Sequence, residues 1–468
     1  MSLPQPIGRQ KEVLYLPTRG HFAILGTAGS GKTTLAILRS AFLSNTKTEH
    51  CGKTLLVTFN KALVTYLKHL QDSKLVNVTI ENYHTFARGY LAYRNKMSRN
   101  TILDPDRREA LVKQAIENVL QHYSLHPFCN YPVELLSEEL RWIAQYGITT
   151  YNEYQDFDVF RSAEMRFDSK ERKLVFEIYQ TYLNLRQQSG KKYDWDDIAT
   201  SVCEELDADK SERLYQHIVI DEGQDFSPQM IRSLAKAIPS YGSLTFFGDV
   251  AQQIYGHRIS WRDAGLDIKQ VWEFKENYRN TKQIAKLGLA ISKMRYFKSI
   301  SDLVEPVSPP ADGPLPTIVE FSSPDEEKLF VVNQAITLAR TQSVAILFRD
   351  RQDEQIIQRL LQKESRLTTI RLHRDMTTWQ AGAGIRYGTY YSAKGLEFDA
   401  VILPFCNNKK LPDPAAAEAF GEEDASAQDG RVLYVGVTRA KIRLIITYCG
   451  EITNLLPSDT SLYEKIIR

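Results

Sequence analysis

Cysteine is scarce in this 468-residue sequence, and no cysteine stands in a metal-binding or disulfide-framework spacing. No two cysteines form a C-x-x-C pair, and no histidines form an H-E-x-x-H motif. These absences argue against a structural zinc site, an iron–sulfur cluster and a disulfide-stabilised fold. We therefore expect reduced, mostly buried cysteines in a reducing compartment. The five residues are Cys51, Cys129, Cys203, Cys406 and Cys449.

Long apolar runs are also missing. None approaches the ~20 residues that a membrane-spanning helix requires, and the N-terminus lacks the charged and apolar segments of a secretion signal. We therefore expect a cytoplasmic protein with no membrane partner. With 43% hydrophobic and 25% charged residues, the composition is that of a globular chain large enough for two or more cores.

Net charge is small, +2 at pH 7, but the positive charge is unevenly distributed. Residues 1–100 contain 14 Lys plus Arg against 4 Asp plus Glu, whereas the remainder contains 45 against 53. Such asymmetry fits a phosphate-rich partner along one part of the surface. Solvated helix faces would give the same pattern, so both interpretations stay open at this point.

Short apolar runs with a strand-like composition alternate with helical patterns along the chain. Such alternation predicts an α/β fold of parallel sheets with crossover helices. The runs form two groups, one on each side of a segment that is almost wholly helical, which indicates an insertion within the first α/β unit. The predicted strands are 21–25, 54–59, 217–221, 244–249, 343–348, 400–404 and 443–447. The predicted domains are a first α/β domain at 1–88 plus 191–270, a helical insertion at 89–190, and a second α/β domain at 271–468.

Two segments are predicted to be surface connections. Residues 305–316 hold too many prolines for a helix or a central strand. Residues 412–430 are acidic and rich in small residues, which predicts a mobile loop.

The segment G-T-A-G-S-G-K-T at 26–33 follows an apolar strand and precedes a helical run. That context is the one the G-x-x-x-x-G-K-[ST] phosphate-binding loop requires. Gly29 and Gly31 let backbone N–H groups turn toward phosphates, and Lys32 reaches the β and γ oxygens. Thr33 offers a hydroxyl to Mg²⁺, and Thr34 is a further predicted nucleotide-binding residue. The sequence therefore predicts a site for ATP and Mg²⁺.

A second acidic motif, H-I-V-I-D-E at 217–222, follows another apolar run. Asp221 at the end of that strand is the expected ligand on the metal side, and Glu222 is the expected base that polarises the attacking water. An acidic turn after a strand means little alone. Together with the upstream loop it predicts the catalytic half of an ATPase site.

Seven further motifs follow one another along the chain. They are R-Q-K-E-V at 9–13, L-L-V-T-F-N-K-A-L at 55–63, Y-H-T-F-A at 83–87, G-D-V-A-Q-Q-I-Y at 248–255, E-N-Y-R-N-T at 276–281, T-Y-Y-S-A-K-G-L-E-F at 389–398 and L-Y-V-G-V-T-R-A at 433–440. Together with the phosphate-binding loop and the acidic motif, this ordered set resembles that of the superfamily 1 DNA helicases of the UvrD, Rep and PcrA type, over most of the chain. The resemblance implies two RecA-like parallel-sheet P-loop domains, with a helical insertion in the first, that act as a DNA-dependent ATPase and move 3′ to 5′.

The resemblance also implies roles at the nucleotide. Two arginines from the second unit would stabilise charge on the transferred phosphoryl group, an effect worth ~10³ to 10⁵ in rate, so ATP is expected to draw the two units together. The implied residues are Gln10 at the adenine, Gln252 at the γ-phosphate, Tyr278 against the base, Glu397 near the ribose, and Arg279 and Arg439 as the two arginine fingers.

Sequence-independent binding of single-stranded DNA needs a basic groove with aromatic platforms. For Phe86 a buried aromatic is an open alternative to a base contact. His257 stands where the family usually has an aromatic residue, so whether it or Trp261 stacks is open. The acids of Y-D-W-D-D-I at 193–198 are as readily structural as functional. The candidate DNA contacts are Phe59, Asn60, Lys61, His84, Phe86, Tyr255 and Trp261.

This chain is shorter than is usual for the family in one interval. Only the residues from Arg349 to Gly388 fill the interval that usually holds a large second accessory insertion, so a compact form is expected, better suited to translocation than to independent strand separation. The biological setting expected is DNA repair or phage defence. An alternative from a different class is an ATP-gated DNA-binding adaptor that recruits or licenses a nuclease partner, for example in phage defence, with little unwinding of its own. An RNA helicase is a third alternative, because phosphate and stacking contacts are shared.

Overall fold

The computed structural model describes residues 6, 8–27, 29–70, 75–98, 100–121, 123, 131–156, 167–249, 261–297, 309–373, 376 and 379–468. Within these residues the chain forms two sheets, each made of parallel strands flanked by helices. Each sheet forms, with its flanking helices, an α/β unit of the kind that the sequence predicts. This confirms the predicted fold class of two RecA-like units. None of the helices in the described ranges is long and apolar enough to cross a membrane.

The first unit is built on a six-stranded sheet with the order β3-β2-β4-β5-β1-β6. Its elements are α1 (Gln10–Leu14), β1 (Gly20–Gly26), α2 (Lys32–Leu43), β2 (Thr54–Thr58), α3 (Lys61–Leu70), β3 (Val78–Asn82), α4 (Tyr83–Tyr93), then, after the helical insertion, α9 (Ile198–Ala208), β4 (His217–Ile220), α10 (Pro228–Lys236), β5 (Ser243–Gly248) and β6 (Ile268–Phe274). A 3-10 turn, Gly223–Asp225, follows β4.

The helical insertion consists of α5 (Pro105–Leu120), α6 (Val133–Tyr146), α7 (Tyr151–Asp156) and α8 (Ser169–Gln188). It has a core of its own, which runs from Leu103 to Tyr182. The predicted insertion begins earlier, at residue 89. That boundary falls inside α4, whose Leu91 is packed in the core of the first unit.

The second unit is built on a seven-stranded sheet with the order β13-β7-β12-β11-β8-β10-β9. Its elements are α11 (Lys282–Ser292), β7 (Thr317–Phe321), α12 (Pro324–Leu338), β8 (Ser343–Phe348), α13 (Arg351–Glu364), β9 (Thr369–Arg371), β10 (Gly384–Thr389), β11 (Phe398–Leu403), α14 (Pro414–Phe420), α15 (Glu422–Thr438), β12 (Ala440–Cys449) and β13 (Glu464–Ile467). Short 3-10 turns occur at Arg295–Phe297 and Thr460–Leu462.

The border between the units lies after β6. This strand pairs with β1 from His21 opposite Ile268 to Gly26 opposite Phe274. The predicted border at residue 270 therefore cuts through a strand of the first sheet. This edge strand mixes polar with apolar residues and lacks a continuous apolar run, so the sequence pattern did not reveal it.

Residues 412–430 are not the loop that the sequence suggests. They form α14 and the first half of α15, and α14 starts with Pro414 after an Asp413 side chain that caps the backbone N–H of Ala415. Arg349 pairs with both Asp413 and Asp429 at 3.0 and 2.6 Å, which ties the segment to the second unit. Proline in the first turn and an acidic cap favour a helix start, and they outweigh the low hydrophobicity.

The interval from Arg349 to Gly388 holds α13 and β9 among its described residues, and β9 pairs with β10 at the edge of the second sheet. These elements belong to the sheet and its covering helices. The compact organisation expected from the sequence is therefore present in this interval.

The Y-D-W-D-D-I segment joins the insertion to the first unit. Each of its three carboxylates pairs with an arginine on a different helix of the insertion. Of the three acids, Asp194 is almost completely buried. The geometry therefore supports a structural role for these acids rather than a functional one. The pairs are Arg108 with Asp194 at 2.9 Å, Arg141 with Asp196 at 3.5 Å, and Arg186 with Asp197.

Replacement of Arg108 by methionine is expected to destabilise this junction. Arg108 also lies 3.3 Å from Asp196, so the Arg108→Met chain leaves the buried Asp194 carboxylate and the partly exposed Asp196 carboxylate without their shared cation. Breaking a buried pair from one side costs about 3–5 kcal/mol. Urea unfolding followed by tryptophan fluorescence should show an earlier transition, whereas Arg107→Met, at the exposed neighbouring position, should not.

Candidate nucleotide site and nucleic-acid track

A cleft of about 510 Å³ lies between the two units. On one side are the carboxyl ends of β1, β4 and β5, and on the other are the amino ends of β11 and β12. The predicted nucleotide residues that line it are Gln10, Gly29, Gly31, Lys32, Thr33, Thr34, Glu222, Tyr278, Arg279, Glu397 and Arg439. The structure thus brings residues from both ends of the chain to one cavity.

Glycine at position 29 permits a close approach between the phosphate-binding loop and the E-N-Y-R-N-T segment. Gly29 has φ 80°, and a Cβ there would lie 2.3 Å from the Asn277 side-chain oxygen. The backbone N–H of Tyr278 donates to the Gly29 carbonyl at 2.9 Å. Because a larger residue would force the segments apart, this glycine fixes where E-N-Y-R-N-T meets the loop.

Lys32 is buried at the base of the loop. Its ammonium donates to the carbonyls of Gly26 and Thr27, each at 2.7 Å, and lies 3.7 Å from the Asp249 carboxylate. Burial lowers the pKa of Lys32, and Asp249 opposes that shift. Asp249 is not among the predicted site residues. Its position directly after β5, at the carboxyl edge of the sheet, is the signal that would have pointed to it.

Asp221 and Thr33 stand together as the predicted metal pair. Burial and the neighbouring Glu222 raise the pKa of Asp221 to about 7, while a hydrogen bond with the Thr33 side chain opposes the shift. The second oxygen, Oδ2, is buried and has no hydrogen-bond partner within the described residues. A buried carboxylate oxygen beside a hydroxyl is a donor set that suits Mg²⁺, which binds through one or two protein ligands plus phosphate oxygens.

Glu222 is held in a strained conformation over the cleft. Its φ is 53°, in the left-handed region that non-glycine residues rarely occupy. Burial raises the pKa of its carboxyl. The positive charges of Lys394, Arg439 and Lys32 lower that pKa by more than burial raises it, so the net shift is downward. Glu222 is therefore ionised at neutral pH, as a base must be before it accepts a proton.

Gln224 holds two acidic residues of the site in place and was missed by the sequence reasoning. Its amide donates to the Glu222 carboxylate, and its side-chain oxygen accepts from the Asp249 backbone N–H at 2.9 Å. It lies in the 3-10 turn, where no motif rule marked it. Its role became visible only through contacts between residues from different strands.

The second unit presents a charged wall. Arg279 donates to Glu397 at 2.8 Å, and Lys441, another residue missed from the sequence, lies 3.3 Å from the same carboxylate. Burial raises the pKa of Glu397, but these two cations hold it below its usual value. Tyr278 is 50% exposed at the rim, while the Gln10 amide donates to the Ser30 carbonyl at 3.3 Å on the opposite side.

Arg439 reaches the cleft from the end of α15. It is 1% exposed, and its guanidinium donates to the carbonyls of Val435 and Leu396 at 3.1 and 3.2 Å. Burial lowers the pKa of Arg439 to about 10, which leaves it protonated at neutral pH. The predicted site residues Gln252 and Tyr255 lie outside the described residues, as does His257, the alternative to Trp261 as the stacking residue.

A second cavity of about 240 Å³ lies where the first unit meets the helical insertion. Phe59 and His84 line it with rings 5.6 Å apart, and Trp195 packs 5.0 Å from His84. Burial lowers the pKa of His84 to about 4, so its ring is neutral at pH 7. Trp195 belongs to Y-D-W-D-D-I and was not among the predicted contacts, although an aromatic residue within that motif was the available signal.

The remaining candidate DNA contacts have different surroundings. Lys61 is exposed at the start of α3, but Asn60 turns toward the second unit, where its amide donates to the Lys394 carbonyl at 3.0 Å. Phe86 is 7% exposed within the core of the first unit, which favours the buried alternative. Trp261 is half-buried against Phe246, with ring centroids 5.0 Å apart.

Comparison with known proteins agrees with this arrangement. The UvrD/REP helicase N-terminal domain matches residues 8–278, and the UvrD-like helicase C-terminal domain matches residues 366–451. A Mycoplasma pneumoniae protein called "Probable DNA helicase" is 23% identical over 88% of this chain and 78% of its own length. ATP-dependent DNA helicase UvrD2 of Mycobacterium tuberculosis is 23% identical over 94% of this chain and 78% of its own. ATP-dependent DNA helicase PcrA of Staphylococcus epidermidis is 24% identical over 57% of this chain and 35% of its own.

Proposed function

The chain belongs to the UvrD/REP helicase family and is a DNA helicase, a DNA-dependent ATPase; we propose that it hydrolyses ATP between its two units to move 3′ to 5′ along single-stranded DNA. The observation that carries this proposal is the shared cleft. Lys32 and Glu222 line it from the first unit, and Arg439 lines it from the second. A nucleotide bound there would contact both units, so its binding and hydrolysis would change the distance between them.

The chemistry follows from the charges in the cleft. Glu222, ionised and held by Gln224, accepts the proton of the attacking water. Arg439, protonated and buried, stabilises negative charge on the transferred phosphoryl group. Asp221 and Thr33 would hold Mg²⁺, which supplies Lewis-acid polarisation of the phosphate oxygens when bound.

The strand track is proposed along the first unit. Phe59 and Trp195 line an aromatic cavity, and Lys61, two residues after Phe59 in the sequence, is an exposed cation at the start of α3. Aromatic rings combined with positive charge, here the Arg141 side chain that also lines the cavity, suit single strands of any sequence. The direction of travel rests on the resemblance of K-G-L-E-F and V-T-R-A to the family's motifs.

Translocation is better supported than independent unwinding. The interval where relatives of this type carry a large insertion holds α13 and β9 among its described residues. Both matched domains are helicase domains, which gives no support to the adaptor alternative. Unwinding that appears only when a partner protein is added would revive the adaptor alternative.

The decisive test is the ATPase rate of the purified chain with and without oligo-dT. We expect strong stimulation, and an affinity for the strand that falls steeply between 50 and 200 mM salt, because phosphate contacts release counterions. Equal stimulation by oligo-U would favour an RNA substrate. Partial duplexes with a 3′ or a 5′ tail, alone and with candidate partner proteins, separate unwinding from partner recruitment. Salt-independent binding would contradict the proposed basic track.

A further inference from the structure

A buried ion pair joins the two units beside the nucleotide cleft. The Lys394 ammonium donates a hydrogen bond to the Asp225 carboxylate, and the two side chains are 5% and 4% exposed. Lys394 lies in the loop between β10 and β11 of the second unit, and Asp225 ends the 3-10 turn after β4 of the first. A buried charge that loses its partner is strongly unfavourable. The pair therefore ties the position of one unit's loop to the other unit's turn.

The turn that ends at Asp225 begins at Glu222. The Asp225 backbone N–H donates to the Glu222 carbonyl at 3.0 Å, so a shift of Asp225 moves the residue that activates water. Left-handed backbone at a non-glycine residue costs about 1–3 kcal/mol and persists only where the surroundings over-determine it. On one side those surroundings are β5, since a Cβ on Gly223 would lie 2.2 Å from the Phe246 ring. On the other side is the bond from Lys394.

The loop that carries Lys394 is also held from the strand track. The Asn60 amide donates to the carbonyls of Lys394 and Ser392, at 3.0 and 3.5 Å. Gly395 packs so closely on α3 that a Cβ would lie 2.6 Å from Leu63. Asn60 follows Phe59, whose ring lines the aromatic cavity. Contacts therefore run without interruption from the track, through this loop, to the turn of Glu222.

We propose that the Lys394–Asp225 pair is a positioning device that transmits strand occupancy to Glu222. A strand bound at Phe59 orders Asn60 and the loop it holds; the loop then fixes Asp225, and Asp225 fixes the turn. Lys394 and Asp225 are positioning residues, since they act on the reaction through Glu222. The inference rests on the proposed function, because it requires ATP hydrolysis that a single strand stimulates.

The test compares ATP hydrolysis by the full chain with and without saturating oligo-dT in Lys394→Gln, Asp225→Asn and the double variant. Each single change should lower the stimulated kcat by about tenfold to hundredfold, the size of effect that misplacing a catalytic group produces. The KM for ATP should change by less than about threefold, because a loss confined to kcat marks an interaction of the transition state. The ratio of the stimulated to the unstimulated rate should fall together with the stimulated kcat. In the double variant neither member of the pair is left as an unpaired charge, and Arg439 and Lys32 still face Glu222, so it should fold like the wild type and still show a lowered ratio.

Lys410→Gln is the matched control, because Lys410 also pairs with a largely buried aspartate, Asp353, within the second unit. This change should leave the stimulation ratio unaltered. An unaltered ratio in the double variant, with normal thermal melting, overturns the inference while the proposed function stands. A wild-type chain that oligo-dT does not stimulate overturns both. A Lys410→Gln chain with the same loss as Lys394→Gln would show that the effect is general destabilisation, and would also overturn the inference.

Discussion

Glu222→Gln is expected to reduce the DNA-stimulated kcat for ATP hydrolysis by about 10²- to 10⁴-fold, the contribution typical of a general base. The glutamine has the same shape and can keep the hydrogen bond from Gln224, so the strained turn should be preserved. What it loses is the charge, which Lys394, Arg439 and Lys32 hold in place at neutral pH. Steady-state turnover of the purified variant with oligo-dT measures the loss.

Nucleotide binding separates this interpretation from a folding defect. Titration of a fluorescent ATP analogue should give nearly the same Kd for Glu222→Gln as for the wild type, because Lys32 and the loop glycines are untouched. Glu212→Gln, an exposed position in the same unit, serves as the control and should retain full turnover. Retained turnover in Glu222→Gln would place the catalytic base elsewhere in the cleft.

Local patterns predicted the buried centre of each sheet well. The run at 343–348 coincides with β8, and the runs at 54–59 and 217–221 each extend one residue beyond β2 and β4. These strands are covered on both faces, so their apolar runs are continuous. The sequence pattern missed β7 and β10, which lie inside the second sheet, and it also missed the edge strands, for the opposite reason. In β3, β6 and β13 polar and apolar residues are mixed, and their exposure varies along the strand.

The candidate site divides in the same way. Residues tied to a compact motif, such as Gly29, Lys32 and Asp221, could be predicted because the phosphate loop and the acidic turn have fixed local chemistry. Lys394 and Asp225 are 169 positions apart, and no spacing rule joins them. Their contact depends on how the two sheets face each other.

Aromatic residues expose a further limit of sequence reasoning. Phe59 and Phe86 both lie in motifs that resemble DNA-contacting loops, yet Phe59 is only partly buried at the edge of the core and lines a cavity, whereas Phe86 is buried in that core. The difference is the direction in which each side chain leaves its element. Phe59 follows the last residue of β2, whereas Phe86 lies inside α4 on the face that covers the sheet. Residue type alone does not encode that direction.

Arg439→Ala is expected to lower kcat by ~10³- to 10⁵-fold, the range measured for arginine fingers. Arg439 is protonated despite its burial and shares the cleft with Glu222 and Lys32, on the opposite wall. Its charge is placed where negative charge develops during transfer, so it should matter far more to hydrolysis than to ATP binding. Comparison of kcat with the Kd of a fluorescent ATP analogue measures that difference.

Two companion variants decide what such a loss means. Arg439 also donates to the carbonyls of Val435 and Leu396, so its removal could loosen α15 as well as the cleft. Arg439→Lys keeps a positive charge but not the planar fork that contacts phosphate at two points, and it should recover only a small part of the rate. Arg443→Ala, at an exposed position on β12, should behave like the wild type. Equal losses of kcat and ATP affinity in Arg439→Ala would argue against a finger, because a group that acts only in the transition state leaves binding intact.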